Sequence, residues 1–444
     1  MRQVNETPAA DVSFREALGV WCQVALQSFG GPAGQIAVMH RILVERKKWI
    51  DEDRFLHALN YCMLLPGPEA QQLATYIGWL MHGVRGGLAA GLLFITPGIA
   101  AILALSVVYV ELGHTIVVPA LFFGLKAAVS AVVFEAVHRI SKRALKSRPH
   151  YLLAAASFVA IFLFDVPFPL IIIAAALLGW LALPIAPAGA PSASTVTEER
   201  VRPSFVRSIG VLAVWLVVWW GPQLIVLGMF GPAHVFVREG LFFSQAAMVT
   251  FGGAYSVLTY IAQRAVETYG WLSPRETLDG LGMAETTPGP LIMVVQFVGF
   301  LAAYRFAPEM PPLAAGICGA LLTTWVTFAP CFLWIFLGAP YIETLRNNRA
   351  LTRALSGITA AVVGVILNLA IWFLLHVLFA GVEERHFGVI RYYLPVWSTF
   401  DVAAATIAAG ACWLLLWARR SVGLVLAAGT ACGALVYWFA NRPT

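Results

Sequence analysis

The sequence predicts an all-α, polytopic membrane protein made of two homologous halves of inverted topology with re-entrant or broken helices. Three observations predict it. The first is composition: of 444 residues, 60% are hydrophobic and 12% charged, with a mean hydropathy of +0.79, against roughly a quarter charged in ordinary globular chains. The second is repetition. Phe29-Gly30-Gly31 returns as Phe251-Gly252-Gly253, Trp49 as Trp271, and Pro66-Gly67-Pro68 as Pro288-Gly289-Pro290, all 222 residues further on. Pro97 then pairs with Pro330 and Gly124 with Gly357 at 233, so the second copy carries extra residues between. The third is charge. Residues 111–119 hold no Lys or Arg, whereas their counterpart, 342–353, holds Arg346, Arg349 and Arg353. Basic loops mark the cytoplasmic side, so equivalent loops on opposite sides imply oppositely oriented halves.

Residues 14–39 read as a helix, a break at Gly30-Gly31-Pro32 and a second short helix, because two glycines and a proline free backbone groups that must be satisfied inside protein. Residues 41–54 mix five basic with four acidic side chains and read as a solvated loop. Segments 55–65 and 72–81 are each too short to span, and the turn between them makes them a hairpin that returns to the side it left. Full crossings follow at 86–110 and 116–137; Gly83, Gly87 and Gly91 at the entry to the first form a small-residue packing face. The densest basic run, 139–148, is placed in the cytoplasm. A shorter pair, 151–165 and 168–183, completes the first half.

Residues 184–203, rich in Pro, Ala, Ser and Thr, are composed like a linker. Segment 205–230 is one further crossing, which reverses the side from which the second copy starts. That copy runs as a broken segment at 241–261, a hairpin at 278–303 and crossings at 313–338, 355–379, 402–417 and 422–439. The expected division is a first repeat over 1–186, a cytoplasmic linker over 187–204, a connecting helix over 205–232 and an inverted second repeat over 233–444. Nine full crossings and four hairpins are expected, with the N-terminus inside. Residues 1–14 show no cleavable signal peptide. The six cysteines are scattered through apolar segments and read as small core hydrophobes.

Broken helices meeting near the midplane of an inverted repeat are the architecture of secondary transporters, where half-helix N-termini offer unpaired N–H groups and a positive dipole end to an anion. Gly30, Gly31, Gly67, Gly252, Gly253 and Gly289 then let backbone approach the ion, with Pro32, Pro66, Pro68, Pro288 and Pro290 making the breaks. The plainer alternative is that these residues only kink tightly packed helices. Lys126 lies in an otherwise apolar span, and burying it unpaired costs roughly 2.5–3.5 kcal/mol on insertion scales. It therefore calls for an anionic ligand or a carboxylate partner, Glu69 or Glu285. Its counterpart in the second copy is the neutral Thr359.

Glu69 and Glu285 flank the two Pro-Gly-Pro turns and suit proton carriage or charge pairing, or alternatively helix capping. Gln71, Gln72, Thr286 and Thr287 are candidate neutral donors to an oxyanion, or else helix-helix contacts. Arg85 could attract anions or anchor topology. Arg391 is expected to be dispensable. No G-x-S-x-G, H-E-x-x-H, nucleotide loop or His cluster is present, so no enzyme, metal or cofactor is expected. The basic excess sits in short loops, which points to membrane orientation and not to nucleic acid.

FGGP at 29–32, LPGPEAQQLATYIG at 65–78, GLKAAV at 124–129, FGGAY at 251–255, ETTPGPLI at 285–292 and FAPCFLWIFLGAPY at 328–341 closely resemble the chromate ion transporter family in its long, two-domain form. The likeness covers about residues 14–379 with no departure in these motifs. It implies export of chromate from the bacterial cytoplasm across the inner membrane, conferring chromate resistance, with sulfate as an analogue. The alternatives are a transporter of sulfate or another oxyanion, a membrane-embedded enzyme on lipid-like substrates, and a structural scaffold. Expected partners are the oxyanion and membrane lipid, with a homodimer left open.

Overall fold

A computed structural model describes residues 12–29, 31–113, 115, 117–182, 205–251, 253–341 and 349–440. Gly30, Gly252, Arg346 and the expected linker lie outside these residues. The first half contains α1 (Phe14–Gln27), α2 (Gly31–His40), α3 (Glu52–Cys62), α4 (Glu69–Leu112), α5 (Val117–Ala144), α6 (Arg148–Phe164) and α7 (Phe168–Ala182). After α8 (Phe205–Phe230) the second half contains α9 (Val235–Met248), α10 (Ala254–Gln263), α11 (Pro274–Thr286), a short 3₁₀ turn (Leu291–Met293), α12 (Val294–Phe306), α13 (Pro312–Gly338), α14 (Arg349–Leu378), α15 (Val402–Leu416) and α16 (Val422–Ala440).

The correspondence between halves extends to irregular backbone. α2 ends in a π-helical turn, Arg41–Arg46, and α10 ends in another, Arg264–Thr268, so each copy accommodates extra backbone within a helix at the same place. The span expected as a solvated loop, 41–54, is thus largely helical. Its charges remain outside: Lys47 Nζ sits 2.9 Å from Glu16 in the first turn of α1, returning the chain to the end where α1 began.

α4 is two helices in one. His82 and Gly83 leave helical geometry, Gly83 at φ +58°, and the segments on either side fold back on each other. A Cβ on Gly78 would lie 2.5 Å from Gly86 O, and one on Gly91 would lie 2.4 Å from Thr75 Oγ1. In lipid no hydrophobic force drives helices together, so close backbone approach at small residues does this work. The expected glycine face is present at Gly87 and Gly91, against Phe336 and Phe332 of α13, while Gly83 makes the turn.

Those two contacts also fix direction. Gly87 meets Phe336 and Gly91 meets Phe332, so the second part of α4 and its counterpart α13 run antiparallel. The first-half ends meet where His82 Nε2 lies 2.7 Å from Val12 O; the second-half counterparts meet where His234 Nε2 lies 3.1 Å from Glu309 Oε2.

Each half also covers the other. α5 packs against α15 and α16 of the second half, and its counterpart α14 packs against α6 and α7 of the first. Glycine allows both contacts: a Cβ on Gly124 would lie 2.7 Å from Gly433 Cα, and one on Gly357 would lie 2.7 Å from Gly179 Cα.

Among the described residues, six helices are long and apolar enough to cross a membrane; 148–164, 168–181 and 402–416 are shorter apolar helices. The chain is a multi-pass membrane protein. α8 is its most outlying helix, with Val206 80% and Met229 70% exposed, which suits a lipid-facing surface. Cys62 and Cys331 are buried as expected, but Cys22, Cys318 and Cys432 are exposed, because outward apolar faces here meet lipid and not a core. An unexpected β-hairpin, β1 (Val382–Phe387) and β2 (Ile390–Pro395), joins α14 to α15. Phe387 pairs with Ile390 across a two-residue turn opened by Gly388 at φ +61°, the geometry such turns require.

Candidate anion site at the crossing of the repeats

The two Pro-Gly-Pro turns do not sit each in its own half. Gly67 N–H donates to Thr250 O at 2.8 Å, and Gly289 N–H donates to Ser28 O at 2.9 Å. Both donors and both acceptors are related by the 222-residue offset, so the halves exchange the same hydrogen bond reciprocally. Gly67 has φ +124° and Gly289 φ +108°, a region L side chains rarely enter. Space is equally closed: a Cβ on Gly67 would meet Cys331 Sγ at 2.8 Å, and one on Gly289 would meet Gly98 Cα at 3.0 Å. Cys331 and Gly98 follow the paired prolines, so this contact is reciprocal as well.

The acceptor residues are held alike. Ser28 Oγ donates to Val24 O and Thr250 Oγ1 to Ala246 O, both at 2.7 Å. The next helices start at Gly31, with φ +72°, and directly after Gly253, with φ +102°. Four helix N-termini, those of α2, α4, α10 and the turn before α12, therefore begin within a few residues of the two exchanged bonds. N-terminal N–H groups lack intrahelical acceptors, so their convergence gathers donor capacity and positive dipole ends in one place.

Around the crossing lie buried carboxamides. Gln35 Nε2 donates to Gly289 O, Gln72 Nε2 to Pro66 O at 2.7 Å and Gln71 Nε2 to Thr75 Oγ1 at 3.1 Å; the Oε1 atom of each is unpartnered. Gln35, which the sequence did not single out, lies 254 residues from Gly289 along the chain; its signal is a lone amide in the apolar helix after the first break. Thr286 and Thr287 are not free donors: their hydroxyls bond to Gly282 O and Met283 O within their own helix.

Glu285 is 4% exposed and accepts from the Tyr255 hydroxyl, leaving Oε2 unpartnered. Glu69 opens α4 directly after Pro68 and, among the described residues, its carboxyl forms no hydrogen bond or ion pair. Pro32, at the second position of α2, and the four turn prolines hold the breaks open.

Lys126 is paired, and with neither expected carboxylate. Its Nζ lies 3.2 Å from Asp279 Oδ1, and the Tyr109 hydroxyl donates to Asp279 Oδ2 at 2.9 Å. Asp279 is nine residues before Pro288, about 13 Å along a helix, so the ammonium stands apart from the crossing. It faces a cavity of about 110 Å³ lined also by Phe123, Arg275, His376, Thr399 and Asp401.

Arg391 is not dispensable-looking either. It is 2% exposed, with Nη1 3.0 Å from Asp165 and 3.3 Å from Glu267, and Nη2 donating to Ile161 O at 2.9 Å. It ties the β-hairpin to both halves. Arg85 is exposed beside the α4 kink. Among the described residues no group of His, Cys, Asp and Glu could hold a metal ion.

The family model described as Chromate transporter matches residues 16–180 and 238–434. A chromate transport protein of Pseudomonas aeruginosa is 31% identical over 372 residues, covering 82% of this chain and 81% of the relative. One from Cupriavidus metallidurans is 27% identical over 360 residues, covering 81% and 82%, and a probable one from Synechococcus elongatus is 26% identical over 370 residues, covering 80% and 83%. No solved structure matches.

Proposed function

The chain belongs to the chromate transporter family, and from that premise we propose that it exports chromate, a tetrahedral dianion, from the bacterial cytoplasm across the inner membrane by alternating access. The reciprocal Gly67–Thr250 and Gly289–Ser28 bonds carry this reading. In this reading the repeats, 1–186 and 233–444, are inverted copies joined by these bonds, and four helix N-termini begin beside them, where a dianion finds N–H donors without a blocking side chain.

In this reading Gly30, Gly31, Gly67, Gly252, Gly253 and Gly289 form the backbone of the anion site, with Gln71 beside it. Thr286 and Thr287 enter as acceptor-satisfied neighbours that can turn their hydroxyls to the anion. Lys126 supplies positive charge on the path leading to the site, held ready by Asp279. Rocking of one repeat against the other would open the crossing to each side in turn. A dianion leaving a negative-inside cell gains about 2.3 kcal/mol per charge for every 100 mV, so export is electrically downhill. Glu285, held by Tyr255, and Glu69 are the carboxyls placed to pair with or replace that charge between turnovers.

The test is uptake of radiolabelled chromate into everted vesicles at equal expression. Lys126→Gln should abolish most uptake, while Arg385→Gln, on the exposed Glu383 pair, should not. Full activity in Lys126→Gln removes Lys126 from the path. Excess sulfate in the same vesicles separates a chromate-selective carrier from a general oxyanion carrier.

A further inference from the structure

α9 carries a second ionisable group that the crossing does not use. Glu239 is 0% exposed, and neither carboxyl oxygen has a hydrogen-bond partner. Gln223 of α8 reaches in beside it, 3% exposed and with both amide atoms unpartnered; its carboxamide occupies the space a Cβ on Gly240 would fill. α13 closes the third side at Gly319, where an added Cβ would come 3.1 Å from Glu239 Oε2.

Among the described residues no cation balances the carboxyl. Of the titratable groups on the elements packed against α9, Arg207 on α8, Tyr255 and Tyr260 on α10, Tyr304 and Arg305 on α12 and Cys318 and Cys331 on α13, none bonds to it. Arg238, its neighbour in sequence, is exposed. An ionised carboxylate left unpaired in such an interior costs several kcal/mol, whereas the protonated acid is neutral.

The other half shows that packing does not call for a carboxyl here. The position equivalent to Glu239 is Ala17, 2% exposed, and the position equivalent to Gly319 is Gly86. One repeat has alanine and glycine at these two positions; the other has an acid and glycine. Glu239 lies little more than one turn inside the end of α9 where His234 meets the exposed Glu309, and eleven residues, about 16 Å, before Thr250, which accepts the Gly67 bond.

We propose that Glu239 is a proton-binding site opening to the His234 end of α9, and that its protonation is the coupled event of the transport cycle. On release the carboxyl O–H breaks, leaving the carboxylate on Glu239 and passing the proton to water at that end. Only the coupling clause rests on the proposed anion transport; the proton site does not.

Purified protein in lipid nanodiscs is treated with dicyclohexylcarbodiimide, which modifies protonated carboxyls in apolar surroundings, and mapped by peptide mass spectrometry without any anion. An adduct on Glu239 is expected, falling by up to about tenfold per pH unit once the acid titrates; no adduct at any pH overturns the site. Proteoliposomes with an internal pH dye and a chromate gradient then test coupling. Glu239→Gln should keep anion flux and lose both its proton signal and its pH dependence. An unchanged pH profile in that variant leaves a structural acid and overturns the coupling. Wild-type liposomes that label at Glu239 but move no chromate would instead contradict the transport reading alone.

Discussion

The crossing and the charges around it follow different rules. At the crossing the backbone features exist twice: two positive-φ glycines and two exchanged N–H bonds, each acceptor residue with its hydroxyl bonded one turn back. The charges exist once. Lys126 stands against Thr359, Asp279 against His57, Glu285 against Met63 and Glu239 against Ala17. The difference has a physical cause. Each turn is seated on the other half's break, so neither copy can change without unseating both, whereas a second buried ion pair or acid would add a desolvation cost without adding a contact the fold needs. Backbone sets the symmetric frame, and side-chain charge gives it a direction.

The largest effects are expected from breaking the frame. Gly67→Ala and Gly289→Ala each force a side chain into a positive-φ turn that holds roughly 1–3 kcal/mol of strain for a non-glycine residue, in space already closed. Chromate flux should fall about tenfold or more in either variant, and by similar factors in both. A full rate in one of the two would show that the crossing is not functionally reciprocal.

Next comes the single-copy pair. Lys126→Gln or Asp279→Asn alone should lower unfolding stability by about 2–3 kcal/mol, somewhat below the ~3–5 kcal/mol of a fully buried pair, since Lys126 keeps one-fifth of its side chain exposed. The double variant should regain most of that loss while transport stays low. Additive losses in a thermal-melt comparison would mean the two groups do not act as a pair.

Arg391→Gln should cost about 2 kcal/mol through its charged hydrogen bonds, against less than about 0.5 kcal/mol for Arg385→Gln at the surface. Equal melting points would remove the β-hairpin tie. The smallest perturbation probes orientation directly: single cysteines replacing Arg85 and Glu309 should react with an impermeant thiol reagent from opposite sides of the membrane. Labelling from one side would contradict the antiparallel repeats.

The frame was legible in the sequence because Gly and Pro punctuate a membrane helix loudly, and repetition at one offset separates design from chance. The partner of Lys126 was not. Glu69 and Glu285 flank the turns and draw attention, while Asp279 lies in 277–284 as its one charged residue, beside a glycine, where it resembles the polar start of a helix. Glu239 follows Arg238 and reads as half of a surface pair until burial separates them. The β-hairpin escaped because its alternating polar strands are short and stand among helices, and the same setting hides the burial of Arg391.

The exchange of α6–α7 and α15–α16 between repeats has its own outcome. A polypeptide severed between residues 187 and 204 should reassemble from two separately synthesised pieces, since the interleaved scaffold, not the covalent tether, fastens them. Either piece by itself would leave its turn without an acceptor and its central helix bare, and could mature only by recruiting a mate inserted upside down.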